Sequence, residues 1–180
     1  MQLRRMKPAA LLAAFAAAFF AVTALFAEGD YILTGSGIRV KTVAFIDVNV
    51  YAISHYMKQL PPTKSKRAVI DMDTGKKFIW TMKRDVDHEK IVSALKDAYA
   101  MNGYTDSAKI GQFIGAFKGE LKEKSSVTIV YDADKKATTV TAGGGSATVP
   151  GVDFMKATWS IWLGKIDQPK LGDQLMSKIP

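Results

Sequence analysis

With 180 residues, 48% of them hydrophobic, and a net charge of +8, the chain is long enough for one domain with its own hydrophobic core. It contains no cysteine, which excludes disulfides and a lipid-modified N-terminal cysteine. Its basic residues are mixed with acidic ones, a pattern typical of solvated surface and not of a nucleic-acid interface, although weak attraction to an anionic membrane surface is compatible with it.

The first 27 residues have the layout of a secretory signal peptide. Three basic residues precede an uncharged run from Pro8 to Ala27 that is rich in alanine and phenylalanine, and acidic residues follow at once. A basic segment, an apolar segment and a small residue at its end are typical of an exported protein. We expect cleavage after Ala27 or Ala24, although the run is also long enough for an uncleaved membrane anchor.

Cleavage after Ala27 leaves one domain, residues 28–180. This domain has 22 basic and 17 acidic residues and therefore a net charge of +5. An exported chain without disulfides is typical of a bacterial envelope, so we expect a periplasmic or secreted protein.

The first half of the domain predicts β-strands. Over residues 31–57, apolar and β-branched residues recur at every second position, which is the period of a strand. Pro61-Pro62 marks a loop after this unit. Two further strands are predicted at Ala68–Asp73 and Lys77–Lys83.

The hydrophobic period then changes to that of a helix. Apolar residues at helical spacing predict one helix from Asp87 to the stop at Asn102-Gly103, and a second over Asp106–Lys118. A hairpin is predicted from Ser126–Tyr131 and Ala137–Ala142.

The C-terminal part predicts a short strand at Ser146–Val149, a helix that opens at Pro150-Gly151 and ends at Gly164, and a last short helix that carries Leu171. Strands, paired helices, a hairpin and final helices in this order describe an α+β domain. We expect an antiparallel sheet with helices packed on one face.

Few residues have the chemistry of a catalytic or metal site. The two histidines, His55 and His88, lack the spacing of metal ligands, and no nucleophile motif or phosphate-binding loop is present, so we expect neither a metal nor a cofactor.

Arg39 lies in an otherwise apolar strand, where a guanidinium has to reach solvent or meet an anion. The pattern alone favours solvent. The many aromatic residues are typical of a core, but they leave room for an apolar cleft between sheet and helices.

Three segments, in this order and spacing, resemble the chalcone isomerase superfamily. LTGSGIRVKTVAFIDVNVYAISHYM is similar to its opening strands, with a glycine pair, an arginine and a strand ending in Val-Tyr. RDVDHEKIVSALKDAY is similar to its first helix, and GVDFMKATWSIWLGKIDQPKLGDQLM to the closing segment of bacterial chalcone isomerase-like proteins. The resemblance covers residues 31–177. It implies an open-faced β-sandwich of chalcone isomerase type, with an antiparallel sheet backed by a helical layer.

The resemblance implies an anion site without a catalytic apparatus. The family contains plant enzymes that close a chalcone by intramolecular addition of a phenolate, and non-catalytic members that hold a fatty-acid carboxylate with an arginine and a tyrosine. Arg39 matches the family arginine. The polar groups with which the enzymes bind substrate and organise the water that stabilises the enolate are replaced at four positions, Ile46, Asp87, Ala94 and Ile161.

The leading hypothesis is therefore an exported, non-catalytic chalcone isomerase-like protein that binds a small amphipathic carboxylate, such as a fatty acid, between sheet and helices. Arg39 would pair with the carboxylate and Tyr51 would assist. Three aromatic residues would line the apolar part of the site, namely Trp80, Phe113 and Trp159. An internal acidic partner of Arg39, such as Asp47, is the competing explanation for a buried arginine.

Two other functions stay open at this point. One is an intramolecular lyase that uses Arg39 with a rearranged set of donors. The other is an envelope protein that binds a partner protein and has no ligand. The oligomeric state cannot be read from the sequence.

Overall fold

The structure is a computed structural model that describes residues 31–180, so the predicted signal peptide, residues 1–27, lies outside the described residues. The described part contains six strands and five helices. The strands are β1 (Ile32–Val43), β2 (Ile46–Met57), β3 (Lys76–Met82), β4 (Ser126–Asp132), β5 (Ala137–Ala142) and β6 (Gly145–Pro150). The helices are α1 (Lys66–Asp71), α2 (His88–Met101), α3 (Ser107–Ile114), α4 (Val152–Leu163) and α5 (Pro169–Leu175).

The six strands form one antiparallel sheet in which the spatial order equals the chain order, β1-β2-β3-β4-β5-β6. Helix α1 is inserted between β2 and β3, and α2 and α3 lie between β3 and β4. The predicted α+β class, with an antiparallel sheet backed by helices, is confirmed. The helix predicted at Asp106–Lys118 forms but ends at Ile114, before Gly115.

The prediction of a strand at Ala68–Asp73 is wrong, because residues 68–71 belong to helix α1. The Ser65 side chain caps the first turn by accepting the Ala68 N–H at 3.0 Å. At the other end the Lys76 ammonium group binds carbonyl groups of the last turn. The β-branched pair Val69 and Ile70 favoured a strand, but a short apolar run cannot be assigned by periodicity alone.

One face of the sheet carries the hydrophobic core. Helix α4 packs against this face with Phe154, Trp159 and Trp162, all at most 1% exposed. The opposite face carries hydroxyl pairs, such as Ser36 with Ser54, whose oxygens are 2.8 Å apart. Because the helices of residues 31–180 cover only this face, the sheet is open-faced.

The glycine pair of β1 lets the C-terminal segment lie directly on the edge strand. A Cβ atom at Gly35 would lie 2.1 Å from the carbonyl oxygen of Gln174, and one at Gly37 would be 2.6 Å from the Leu171 side chain. The Lys178 N–H donates to the Thr34 carbonyl at 2.8 Å and so covers part of the sheet edge. Larger side chains at either glycine would push α5 away from β1.

The β1–β2 hairpin extends beyond the rest of the sheet. Pairing of β2 with β3 begins at Tyr51, opposite Met82, so residues 41–48 form a two-stranded ribbon within the described chain. We call residues 41–48 the ribbon tip. Every residue from Lys41 to Asp47 is exposed.

Candidate functional site

Arg39 and Tyr51 are direct partners across β1 and β2. The pairing is interrupted immediately afterwards, since the register shifts between Arg39 and Val40. Such a bulge bends a strand and redirects its side chains. The Arg39 side chain is only 13% exposed, so the sheet places a largely buried guanidinium next to a buried phenol. The two residues that the family resemblance selected are thus brought together.

Arg39 pairs with Asp167, in the loop between α4 and α5. One guanidinium nitrogen lies 2.6 Å from a carboxylate oxygen of Asp167, and another donates to the Gln168 side-chain oxygen at 3.2 Å. The Lys41 ammonium group also contacts Asp167, at 2.9 Å. Although partial burial opposes it, contact with Lys41 and Arg39 holds the pKa of Asp167 below its usual value. We call Arg39, Tyr51 and Asp167 the arginine site.

This pairing corrects two expectations about Arg39. The strand pattern favoured solvent, but the guanidinium meets an anion. The internal partner suggested by the sequence, Asp47, is the wrong residue, since its carboxylate accepts the Thr42 hydroxyl at 2.7 Å. Asp47 lies opposite Thr42 in the ribbon tip, several residues beyond Arg39, whereas the α4–α5 loop returns to β1 beside it.

Tyr51 lies between the arginine and the aromatic interior. Its ring stacks on that of Trp80 with centroids 4.6 Å apart and planes 9° apart, and its hydroxyl accepts the Trp162 N–H at 3.0 Å. Burial raises the pKa of Tyr51, against the opposing effects of Trp162 and Arg39, so the phenol stays protonated. Because the hydroxyl oxygen accepts the bond from Trp162, its hydrogen remains available to an acceptor such as a ligand oxygen.

Trp80 carries a buried polar group without a partner. The residue is 1% exposed, and its indole N–H has no hydrogen-bond acceptor among residues 31–180. A buried donor that is left unpaired costs about 1–3 kcal/mol. The ring stacked on Tyr51 therefore has an unsatisfied donor that an acceptor atom of a ligand or a water molecule would satisfy.

Phe113 and Trp159 are buried at some distance from Arg39. Phe113 packs against Phe154, with ring centroids 5.5 Å apart, and reaches Trp80 only through Phe117. Trp159 packs against Phe78 at 5.0 Å. Both side chains are fully buried among other aromatic rings. Their role in lining a ligand stays a prediction.

A second polar cluster lies deeper between the same strands and α4. Trp159 donates its indole N–H to Nε2 of His55 at 2.8 Å, so this nitrogen is the unprotonated one. Nδ1 of His55 then carries the hydrogen and lies 2.6 Å from the Thr34 hydroxyl, which is 2.8 Å from the Leu175 carbonyl. Burial, followed by the charge of Lys76, lowers the pKa of His55 to about 3. We call Thr34, His55 and Trp159 the histidine network.

Lys76 is a buried lysine that the sequence reasoning missed. Its ammonium group binds the carbonyl oxygens of Val69, Ile70 and Met72 at 2.7, 3.0 and 3.0 Å and lies 5.1 Å from the Trp159 ring centroid. Burial lowers the pKa of Lys76 to about 7, whereas three acceptors favour the ammonium form, which alone has three N–H donors. No sequence signal indicated this role, because Lys76 precedes the strand predicted at Lys77–Lys83 and its acceptors belong to a segment that was predicted as a strand.

A charged surface cleft of about 240 Å³ borders the end of α1 and is lined in part by Ile70, whose carbonyl also binds Lys76. Its walls include Asp71, Asp153 and Lys156. Lys156 pairs with Asp71 at 3.2 Å, and Lys109 pairs with Asp153 at 2.8 Å. Paired surface charges of this kind contribute little energy and are typical of solvated surface.

An antiparallel, open-faced sheet with a buried arginine and tyrosine on its first two strands is the arrangement expected for a chalcone isomerase-like protein. The family model described as chalcone isomerase-like matches residues 13–176. The chain therefore belongs to the chalcone isomerase-like family, and the resemblance seen in the sequence is confirmed.

The fold also matches solved structures. A fatty-acid binding protein of Arabidopsis thaliana, known from a crystal structure, is similar with a TM-score of 0.66 over 82% of this chain and 87% of that chain. The two sequences are 15% identical, so this likeness concerns the fold. No curated protein sequence matches significantly. Among the described residues, no helix combines the length and the apolar character needed to cross a membrane.

Proposed function

We propose that this protein is a non-catalytic member of its family that binds a small amphipathic carboxylate, such as a fatty acid, at the arginine site. The observation that carries the proposal is that Arg39, largely buried, already binds a carboxylate, that of Asp167, beside Tyr51, whose ring stacks on that of Trp80, a residue with an unpaired N–H. The description of the similar Arabidopsis protein as fatty-acid binding supports the choice of ligand class.

Exchange of one carboxylate for another is electrostatically inexpensive at this site. The Asp167 side chain is 46% exposed and also pairs with Lys41. When its carboxylate leaves Arg39, it therefore keeps the ion pair with Lys41 and is hydrated by solvent. The ligand carboxylate then neutralises the guanidinium in its place, and no buried charge is left alone. Asp167 acts in this proposal as an internal competitor of the ligand.

The apolar tail of the ligand lies against the ring of Trp80. Because Trp80 and Trp162 are at most 1% exposed, these rings have to move for the tail to enter. Binding therefore selects a conformation in which the rings of Trp80 and Trp162 have moved apart, and the free energy needed to reach this conformation reduces the affinity for the ligand.

The positions that correspond to the enzymes' polar groups support a non-catalytic role. Ile46 is 67% exposed in the ribbon tip, and Ile161 is buried with no group that can hydrogen-bond a substrate. Asp87 is exposed and pairs with Lys90 at 2.7 Å. None of these side chains is able to hold a water molecule against an enolate in the arginine site.

Export is part of the proposal. The basic segment and the apolar run that precede residue 28 support a signal peptide and a periplasmic or secreted location. Cell fractionation, with the mass of the isolated protein, tests both points. A protein found in the cytoplasm with residue 1 intact would contradict export.

Native mass spectrometry of the protein purified from cells tests ligand binding. We expect a carboxylate to co-purify, or saturated acids of 12 to 18 carbons to bind on addition, and Arg39→Ala to lower the affinity by about ten- to a hundredfold because a charge-assisted bond is lost. Arg67→Ala, which removes an exposed arginine paired with Asp71, is the matched control and should bind like the wild type.

Two outcomes would contradict the proposal. The first is a protein that stays empty in the presence of these acids, which would favour an envelope partner-binding role. The second is cyclisation of a chalcone above the spontaneous rate that is lost in Arg39→Ala, which would favour an intramolecular lyase.

A further inference from the structure

The ribbon tip, residues 41–48, concentrates exposed apolar surface. Among the large hydrophobic side chains of residues 31–180, the three most exposed are Phe45 at 102%, Ile46 at 67% and Val43 at 60%. Single exposed hydrophobic residues are ordinary, but a contiguous group at a projecting point is typical of an interaction site.

The backbone at the turn of the tip has an unfavourable conformation. The two-residue turn between Val43 and Ile46 consists of Ala44 and Phe45, with φ angles of +48° and +69°. Such turns usually contain Asn-Gly, because residues with a Cβ atom are strained in the left-handed region. A strained phenylalanine that projects fully into solvent is a feature for which the described fold has no use of its own.

The tip is also two-sided. Val43 lies opposite Ile46, and Lys41 lies opposite Val48, so these four side chains share one side of the ribbon. The other side carries the hydrogen-bonded pair Thr42 and Asp47. One side is therefore apolar with a lysine at its base, and the other is polar.

Basic residues surround the base of the ribbon. Lys83 and Arg84 are exposed and directly follow β3, and the Lys83 N–H donates to the Val50 carbonyl at 2.9 Å. Lys41 is also exposed, but it pairs with Asp167 at 2.9 Å. An apolar point above basic side chains complements the anionic surface of a phospholipid bilayer, where hydrocarbon lies beneath a layer of phosphates.

From this arrangement we infer that the ribbon tip inserts into the interface of an anionic phospholipid bilayer. Phe45, with Val43 and Ile46, enters the boundary between headgroups and acyl chains. Lys83 and Arg84 contact the phosphates. The inference rests on the ribbon tip and not on a ligand at the arginine site, so each can fail without the other.

The absence of cysteine from the chain allows a probe at a single position. In Phe45→Cys of the full chain, an environment-sensitive fluorophore on the new thiol replaces the phenyl ring with another apolar group. On addition of phosphatidylglycerol-containing vesicles we expect a blue-shifted emission of severalfold higher intensity, and a much smaller response to pure phosphatidylcholine. Because recruitment by the apolar N-terminal segment would bring any part of the domain to the vesicle, a second label in the domain serves as the control.

The matched control is a label at Asp134→Cys, in the turn between β4 and β5 at the opposite end of the sheet. We expect no response there, and we expect Val43→Ser with Ile46→Ser to lower the vesicle affinity of the Phe45 probe by at least tenfold, because two apolar side chains are lost. These exposed substitutions leave the core unchanged.

Three results would overturn the inference. The probe at residue 45 does not respond to anionic vesicles; the probes at residues 45 and 134 respond equally; or the probe at residue 45 responds to protein concentration in the absence of lipid, which would identify a second copy of the chain as the partner.

Discussion

The histidine network and the arginine site lie on the same two strands, and they handle buried polar groups in opposite ways. In the histidine network, His55 is neutral and each ring nitrogen has a neutral, fully buried partner, Trp159 or Thr34. In the arginine site, a permanent charge is balanced by a half-exposed carboxylate from a loop.

The difference separates a structural cluster from an exchangeable one. Replacing any member of the histidine network leaves a buried group unpaired, so the cluster ties β1, β2, α4 and the end of α5 into one arrangement. The carboxylate of Asp167 can leave Arg39 for water and for Lys41. A site with a replaceable partner and an unpaired neighbouring donor, Trp80, is suited to a ligand, whereas a fully paired cluster is not.

The largest expected effect, about 5 kcal/mol in total between pH 6.5 and pH 3, is the response of the histidine network to acid. Below pH 6.5 the unfolded chain protonates His55, whereas the folded chain resists protonation until about pH 3, so the unfolded state binds more protons and the free energy of unfolding falls as the pH falls. The slope from this group is about 1.4 kcal/mol per pH unit. Urea denaturation between pH 4.5 and 6.5 measures it.

His55→Gln and His88→Gln make this test specific. The first variant should lose most of the slope in that window, while the second, which removes the exposed histidine at the start of α2, should keep it. An equal slope in the wild type and in His55→Gln would show that other groups cause the acid sensitivity.

The next effect concerns Lys76, beside the network. Lys76→Met removes the donor from three carbonyl groups near the core, and we expect the free energy of unfolding to fall by about 3–5 kcal/mol. Lys83→Met, at an exposed lysine, should change it by less than about 0.5 kcal/mol. Thermal or urea unfolding measures both. Similar free energies of unfolding for the two variants would mean that the Lys76 ammonium group does not stabilise the end of α1.

A smaller loss is expected for Thr34→Val, which keeps the shape of the side chain but removes its hydroxyl. The Nδ1 hydrogen of His55 then loses its acceptor, and the Leu175 carbonyl loses its donor, at a cost of about 1–3 kcal/mol. Thr141→Val, at an exposed position of β5, is the matched control. Equal unfolding midpoints for the two valine variants would show that the network contributes no stability.

The smallest effect on stability should come from the arginine site, although its effect on binding is distinct. Asp167→Asn removes the carboxylate but keeps an amide oxygen to which the largely buried Arg39 guanidinium can donate, beside that of Gln168, so the free energy of unfolding should fall by only about 1 kcal/mol. Because it also removes the internal competitor for Arg39, titration should show a several-fold higher affinity for fatty acids.

Asp173→Asn, at an exposed acid that pairs with Lys66, is the matched control for Asp167→Asn and should leave the affinity unchanged. A lower affinity in Asp167→Asn would mean that Asp167 helps to hold the ligand. It would contradict the conclusion that Asp167 is an exchangeable partner of Arg39.

Most of the elements could be predicted from local pattern. The strand period over residues 31–57, the helix that follows Asp87 and the hairpin at Ser126–Ala142 are all confirmed, because an element that exposes one side repeats its apolar residues with its own period. Helix α1 was missed for a physical reason as well. It is short, and what stabilises its last turn is Lys76, a side chain from the next strand.

The candidate site was predictable only in part. The sequence indicated that Arg39 needs solvent or an anion, and the family resemblance added Tyr51, but the anion came from Asp167, far along the chain. The pairing of His55 with Trp159 had no sequence signal, since neither residue type requires the other.

The sequence by itself therefore determined the order and kind of most elements, the family and the presence of a charge that has to be neutralised, because periodicity and residue chemistry are local properties. Only the tertiary structure decided which carboxylate meets Arg39 and which acceptor meets Trp159. These depend on strand register, on the bulge after Arg39 and on the return of the α4–α5 loop to the sheet edge. Such contacts join residues that are distant in sequence, and their partners are selected by packing.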